Sequence, residues 1–179
     1  EVRFINIDEA FVTGTELELR KRLDFIWHKL KDFSFGGNFS YIYSRYNIPQ
    51  VEIDASKVVD PAYDAATRPF QGQPPYIINL ILGYDSEKLG LEITGYFNVS
   101  GKTLYSISLS GTPDIYEEPR PQLNFKIVKS FAKYFNISLL ARNLLNPDFA
   151  RTHEFRGQTF YAERYKIGRS FQMGVGFKF

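Results

Sequence analysis

Apolar and polar residues alternate one by one in seven separate segments of this chain. The last segment shows the pattern most clearly, because its apolar residues fall at every second position: Phe171, Met173, Val175, Phe177 and Phe179. Side chains that recur with a period of two lie on one face of a β-strand. The alternation therefore predicts seven strands, over residues 2–23, 33–46, 76–84, 89–105, 122–130, a segment that starts near 136, and one that ends at 179.

The connections between these segments alternate in length, which suggests a topology. Three are short, over 24–32, 85–88 and 131–135, and three are long and rich in Pro, Asp, Gly and Arg, over 47–75, 106–121 and 146–167. The first short turn also suits a brief helical turn. Short turns at one end and long loops at the other are typical of bacterial outer-membrane barrels, whose tilted strands need about 9–11 residues. We therefore expect an all-β fold in which residues 1–179 form part of an antiparallel transmembrane β-barrel with extracellular long loops.

The composition agrees with finely mixed apolar and polar positions. Aromatic residues make up 17% of the chain, yet its mean hydropathy is slightly negative. Many aromatic rings fall near predicted strand ends, where such rings form the girdles of membrane barrels. There is no run of 18 apolar residues for a transmembrane helix, and a net charge of +2 gives no sign of nucleic-acid binding. The chain begins in strand-like sequence without an initiator Met, so we expect a longer precursor.

A soluble β-sandwich or a lipocalin-like barrel would also produce alternation, with the apolar face as its core. Two features favour the membrane barrel. The polar positions carry small residues and oppositely charged pairs, as expected of a crowded lumen, and the final alternating strand ends in Phe179. The soluble alternative predicts that the protein is recovered in water without detergent.

Charged residues recur on the predicted polar face, and we interpret seven of them as a ladder that lines the lumen: Glu16, Glu18, Arg20, Arg22, Glu92, Lys126 and Arg142. Glu16 and Glu18 share a face, as the two carboxylates of a glycosidase must. The neighbouring arginines favour charge pairing instead, since a charge removed from water needs a partner. The sequence contains no catalytic constellation, so we do not expect an enzyme.

No cofactor and no metal site is predicted. His28 and His153 lie in a turn and a loop, without the paired spacing of a histidine metal site. The chain has no cysteine, which excludes disulfides and cysteine-zinc sites. Asp114, Glu117 and Glu118 offer the carboxylates that calcium prefers, but not with the spacing of an EF-hand.

Six stretches resemble the C-terminal barrel of TonB-dependent receptors, especially those of Bacteroidota, and they occur in the family's order. They are residues 6–10 with 14–23, 33–38 with 41–44, 68–79 (RPFQGQPPYIIN), 113–120 (PDIYEEPR), 141–146 (ARNLLN) and 168–179 (GRSFQMGVGFKF). The third is the most specific. It reads either as a ligand motif or as a rigid Gly- and Pro-containing turn into a strand, and we favour the turn. Together the six cover nearly the whole chain.

The resemblance implies a 22-stranded barrel with an N-terminal plug, of which these residues would form the last seven strands. Seven strands alone cannot close so wide a barrel, because barrel diameter grows with strand number. The implied function is TonB-dependent active transport of a siderophore, glycan, cobalamin or peptide across the outer membrane. An outer-membrane barrel with a structural or secretion-linked role, without transport, is the alternative.

The resemblance also implies partners and site residues. The partners are outer-membrane lipid, the TonB complex through residues that precede this chain, and the barrel-assembly machinery, with a surface lipoprotein as a further option. Phe179 would be the assembly signal, besides its place in an aromatic girdle. Ligands of such barrels contact the long loops and the upper lumen, so the candidate ligand-binding residues are Tyr63, Asp64, Tyr105, Tyr116, Arg151 and Tyr161.

Overall fold

The computed structural model describes residues 7, 9–108, 111–131 and 134–177. Strands account for 61% of the residues and helices for 10%, so the predicted all-β fold is confirmed. One α-helix, α1, spans Gln50–Val59, and two 3-10 turns lie at Leu23–Phe25 and His28–Leu30. The strands are β1 Ala10–Arg22, β2 Phe33–Asn47, β3 Thr67–Arg68, β4 Tyr76–Ser86, β5 Leu91–Ser100, β6 Thr103–Ser106, β7 Ile115–Glu117, β8 Gln122–Phe131, β9 Phe135–Arg142, β10 Asp148–Phe155, β11 Gln158–Lys166 and β12 Ser170–Phe177.

Seven strands form one antiparallel sheet, which we call the main sheet, in the order β1-β2-β4-β5-β8-β9-β12. The short strand β3 adds to the end of β2. All seven predicted segments therefore contribute a strand to one sheet, and the first turn is helical, as its sequence allows. The first strand begins at Ala10, and most of the earlier part of the predicted segment lies outside the described residues.

The fourth predicted strand, over 89–105, is wrong at its C-terminal end. The strand of the main sheet, β5, stops at Ser100, and residues 103–106 belong to a second sheet. The chain leaves the main sheet at Gly101, where a Cβ atom would lie 2.8 Å from the Pro75 ring. Alternation continued through this point because both sheets impose the same period on their strands.

The register places apolar side chains on one face of the main sheet, from its first strand to its last. One row of paired residues crosses β1, β2, β4 and β5: Leu17, Phe39, Ile78 and Val99. Another crosses β5, β8, β9 and β12: Ile93, Ile127, Leu139 and Met173. Many side chains of this face are exposed to solvent; Leu17 and Met173, for example, are each 64% exposed.

The main sheet is open in the part of the chain that the structure describes. There β1 and β12 are its two edges, and no pairing joins them into a closed barrel. Edge strands present a row of unpaired backbone N–H and C=O groups. The antiparallel sheet is thus established, whereas the transmembrane barrel and its 22 strands stay predictions.

The three long connections, predicted as loops, are folded into what we call the loop cap. The first, 48–75, contains α1 and β3; the second, 101–121, contains β6 and β7; the third, 143–169, contains β10 and β11. Strands of the second and third connections pair in a four-stranded sheet of order β11-β10-β7-β6. Periodicity did not predict this sheet, because β6 and β7 have only four and three residues, and β10 and β11 carry charged residues at both odd and even positions.

The buried core lies at the loop cap. Among the described residues, the buried hydrophobic side chains are Tyr46, Ile48, Leu104, Phe149 and Ala150. Four of these belong to the cap, and Tyr46 lies at the cap end of β2. Globular domains usually pack two or more layers around a core. The main sheet has no second layer over its apolar face in the described part of the chain.

Candidate ligand site in the loop cap

Arg68 links the first and second long connections through a buried ion cluster. Its side chain is 5% exposed, and its Nη1 lies 2.7 Å from Glu52 Oε2 on α1. Its Nε lies 3.1 Å from Asp114 Oδ2 in the second connection. Breaking such a cluster leaves an uncompensated buried charge, so its members depend on one another.

Backbone and amide contacts extend this link just after Arg68. The Phe70 N–H donates to Ser44 Oγ at 3.2 Å, and Gln71 Nε2 donates to the Tyr105 carbonyl at 2.7 Å. The Gly72 N–H donates to the Leu104 carbonyl at 2.9 Å. Gly72 has a φ of +76°, which favours glycine. These contacts favour the structural interpretation of the 68–79 motif, because they all join parts of this chain.

Lys102 links the second and third connections. Its Nζ lies 3.0 Å from Glu118 Oε1 and 3.2 Å from Glu154 Oε1. The Thr152 hydroxyl donates to Glu118 Oε1 at 2.5 Å, which ties β10 to the end of β7. The Lys102 ammonium also lies over the Tyr116 ring, 5.4 Å from its centroid.

A cleft of about 410 Å³ opens between all three connections. Its volume lies within the range of small-molecule sites. Aromatic and charged side chains both contribute to its wall. They include Asp60, Tyr63, Arg68, Lys102, Asp114, Tyr116, Glu154 and Phe155. This cleft is the candidate ligand site.

One carboxyl group beside Arg68 and one beside Lys102 have pKa values shifted in opposite directions. Burial raises the pKa of Asp114, although the Ser108 N–H and the Arg68 guanidinium favour its ionised form. Burial would also raise the pKa of Glu118, but the Thr152 hydroxyl and Lys102 outweigh it, and the pKa is lowered. Asp114 and Glu118 therefore change the stability of the folded protein in acid with opposite signs.

The six predicted ligand residues do not form one site. Tyr63 and Tyr116 line the cleft. Tyr105 and Arg151 lie together elsewhere in the cap, with the guanidinium 3.5 Å from the ring centroid and Arg151 Nη1 2.7 Å from Glu163 Oε2. Because β10 is pleated, Arg151 faces away from Thr152 and Glu154.

The remaining two predicted residues lie outside the cleft wall. Asp64 is exposed. Tyr161 borders a separate depression between Lys102 and Thr159. Two of the six candidates therefore line the cleft and four do not, because a loop sequence does not reveal which way its folded strands turn, and a role of any of the six in ligand binding stays a prediction.

Sequence reasoning missed the side chains that build the cleft, Arg68 and Lys102 above all. Arg68 stood in a motif that we interpreted as a turn, and Lys102 in the predicted fourth strand. Their partners lie 16 to 52 positions away along the chain, too far for any local pattern to connect them. A lone Arg before a Pro in a mostly apolar stretch was the one available signal.

A scan of protein-family models, a search of curated proteins and a search of solved structures each found no match. Among the described residues there is no group of three or more His, Asp and Glu side chains that could hold a metal ion. No helix in the described ranges is long and apolar enough to cross a membrane. The proposed assembly signal, Phe179, lies outside the described residues.

The register places all seven members of the predicted charge ladder on the polar face of the main sheet. Within the described residues, one ion pair joins two of them, Arg20 Nε to Glu18 Oε1 at 2.7 Å on the same strand. The cross-strand links on this face are amides instead. Asn79 Nδ2 donates to Asn38 Oδ1 at 2.7 Å, and Asn98 Nδ2 donates to Asn79 Oδ1 at 2.5 Å. We call these three residues the asparagine row.

Proposed function

We propose that this chain is part of an outer-membrane β-barrel that takes up a nutrient by TonB-dependent transport. In this proposal the main sheet is a segment of the barrel wall, with its apolar face toward lipid and its polar face toward the lumen. The loop cap lies outside the cell and contributes to ligand capture. Energy coupling is assigned to other parts of the barrel protein, since no described residue carries it.

One observation carries the membrane part of the proposal: the apolar face of the main sheet is continuous and exposed. Monomeric soluble proteins rarely expose contiguous apolar patches larger than a few hundred Å². In a membrane barrel, lipid covers such a face, and outward apolar residues alternate with inward polar ones. The opposite face fits a wet lumen, because charged residues and the asparagine row lie on it, between Glu18 on β1 and Gln172 on β12.

The arrangement of the connections supports the same proposal. The three short turns lie at one end of the main sheet, and the folded loop cap lies at the other. A cap with its own core and cleft is suited to hold a ligand above a barrel wall, since binding residues are often carried by loops on a rigid scaffold. The six sequence stretches that resemble TonB-dependent receptors supply the choice of transport over other roles.

Two neighbouring residues of β12 provide the first test. Met173 is on the apolar face and Gln172 on the polar face, and both are exposed. Met173→Arg would place a charge in the hydrocarbon region, which destabilises a barrel by about 2–4 kcal/mol near the midplane. Gln172→Arg would place the same charge in the lumen and should change stability little. The free energies of urea unfolding in lipid vesicles measure the difference.

Equal stability of the two variants would contradict the assignment of faces. Recovery of the wild-type protein in water without detergent would instead favour a soluble β module. Transport has its own assay, since uptake should cease when the proton-motive force is dissipated or TonB is deleted. A barrel with correct faces whose loss leaves uptake unchanged would favour the structural or secretion-linked role.

A further inference from the structure

We infer that the cleft of the loop cap binds an uncharged, hydroxyl-rich ligand of the saccharide class, in preference to an anionic one. The inference rests on the proposed function for its biological setting, because a cap outside the cell would meet such ligands. Its physical basis is threefold. The cations of the cleft are paired with carboxylates of the same chain, the wall carries hydrogen-bonding groups, and it includes aromatic rings.

Both cations of the cleft wall already have anionic partners within the chain. Arg68 contacts Glu52 and Asp114, and its side chain is buried among them. Lys102 contacts Glu118 and Glu154. An anionic ligand such as a phosphate, a carboxylate or a ferric catecholate would compete with these carboxylates at either cation. Proteins recognise such ligands with Arg and Lys whose hydrogen bonds are available.

The remaining charge on the wall would repel an anion. Asp60 adds a further carboxylate, whose Oδ1 accepts the Ala62 N–H at 3.1 Å. Each cation is thus outnumbered by carboxylates around it. A site with like charge around the ligand position lowers affinity for that ligand and so selects against it.

The same wall suits a molecule with many hydroxyl groups. A hydroxyl both donates and accepts, so it can pair with the carboxylate oxygens of Asp60 and Glu154 and with a tyrosine hydroxyl. Tyr63 and Tyr116 both line the cleft. The rings of these tyrosines and of Phe155 offer apolar surface against which the C–H face of a sugar ring can pack.

The test is a binding panel with the intact protein, solubilised from membranes in mild detergent. The probes are the neutral disaccharides maltose, cellobiose and lactose, the anion digalacturonate, a ferric tris-catecholate, and the cation trilysine. Isothermal titration calorimetry should show millimolar or tighter binding of at least one neutral disaccharide and none of the charged probes. Binding confined to a charged probe, or no binding by any probe, would overturn the inference.

Two matched pairs of variants locate the binding. Tyr116→Phe and Asp60→Asn remove a hydroxyl or a charge from the wall, and each should weaken the bound disaccharide about tenfold. Tyr161→Phe and Asp64→Asn make the same changes outside the cleft and should leave affinity unchanged. Binding that none of the four variants alters would place the sugar elsewhere and refute the assignment.

These outcomes are separable from failure of the proposed function. A protein with the expected lipid and lumen faces that binds only an anion would refute the saccharide inference and leave the barrel standing. A protein soluble without detergent that binds a neutral disaccharide in the cleft would refute the barrel and leave the cleft assignment standing.

Discussion

Arg68 shows how a single side chain can determine the arrangement of the loop cap. It is the cation shared by α1 and the second connection, and its partners Glu52 and Asp114 contact it from two sides. A lysine could not replace it fully, because a compact ammonium cannot present several donors in a planar fork. The exposed pair of Arg164 and Asp148 in the same cap has similar geometry but lies in water.

Arg68→Ala would leave two carboxylates in a partly dry site without their cation. Breaking a buried pair costs about 3–5 kcal/mol, and we expect the lower end because the cleft admits water beside them. Thermal unfolding of the intact protein in detergent measures the loss. Arg164→Ala is the control and should change stability little, since exposed ion pairs contribute little. Equal losses in the two variants would mean that burial of Arg68 has no energetic consequence.

At the scale of elements, the sequence predicted the strands of the main sheet and not those of the cap. Long strands with one apolar face impose an alternation that several repeats make visible, as in β12. The strands of the cap lack such an apolar face and are instead joined by contacts between distant segments, such as Arg151 with Glu117 and Glu163. The sequence therefore predicted the scaffold of the candidate site and two of its wall residues, Tyr63 and Tyr116.

Turn geometry gives a physical reason for two of the six stretches singled out in the sequence, 141–146 and 168–179. Asn143 and Asn146 adopt positive φ angles of 56° and 47°, which asparagine tolerates better than most residues. Asn143 Nδ2 donates to the Gly168 carbonyl at 2.6 Å, and the Gly168 N–H donates to Asn146 Oδ1 at 3.1 Å. The 141–146 and 168–179 stretches thus meet, and they close the third connection at its base.

The asparagine row makes a prediction for three neighbouring strands. Asn79 takes part in both of its hydrogen bonds, whereas Asn38 takes part in one. Each bond contributes about 0.5–1.5 kcal/mol, so Asn79→Ala should reduce stability about twice as much as Asn38→Ala. Urea unfolding in lipid vesicles measures both. A larger loss for Asn38→Ala would show that the row does not link the strands as described.

At the scale of the whole molecule, acid should remove the stabilising contribution of Glu118, which contacts Lys102. It should not remove that of Asp114, which contacts Arg68. The lowered pKa of Glu118 means that its contribution is complete above the pKa of an unfolded Glu, about 4.3. That contribution disappears as the pH falls through the lowered folded value. The raised pKa of Asp114 has the opposite sign, since protonation at this buried site favours the folded state.

Glu118→Gln should therefore flatten the loss of stability in acid, and Asp114→Asn should steepen it. Melting temperatures of the wild type and both variants, measured from neutral pH down to about pH 3, well below the unfolded carboxyl values, provide the comparison. Asp64→Asn, which changes an exposed carboxylate outside both ion clusters, serves as the reference substitution. Parallel curves for all four proteins would contradict the two opposite assignments.

The position of the loop cap has a consequence for how the strands find their partners. Each long connection is attached at both ends to a strand of the main sheet, and the ion pairs of the cap join all three connections. A slip of one residue between two strands would move a loop end by about 3.3 Å and invert its side chains. That displacement is larger than the tolerance of a contact such as Arg68 with Glu52 at 2.7 Å. A correctly formed cap is therefore compatible with one alignment of the strands beneath it. The contacts between the loops thus select the correct register of the main sheet.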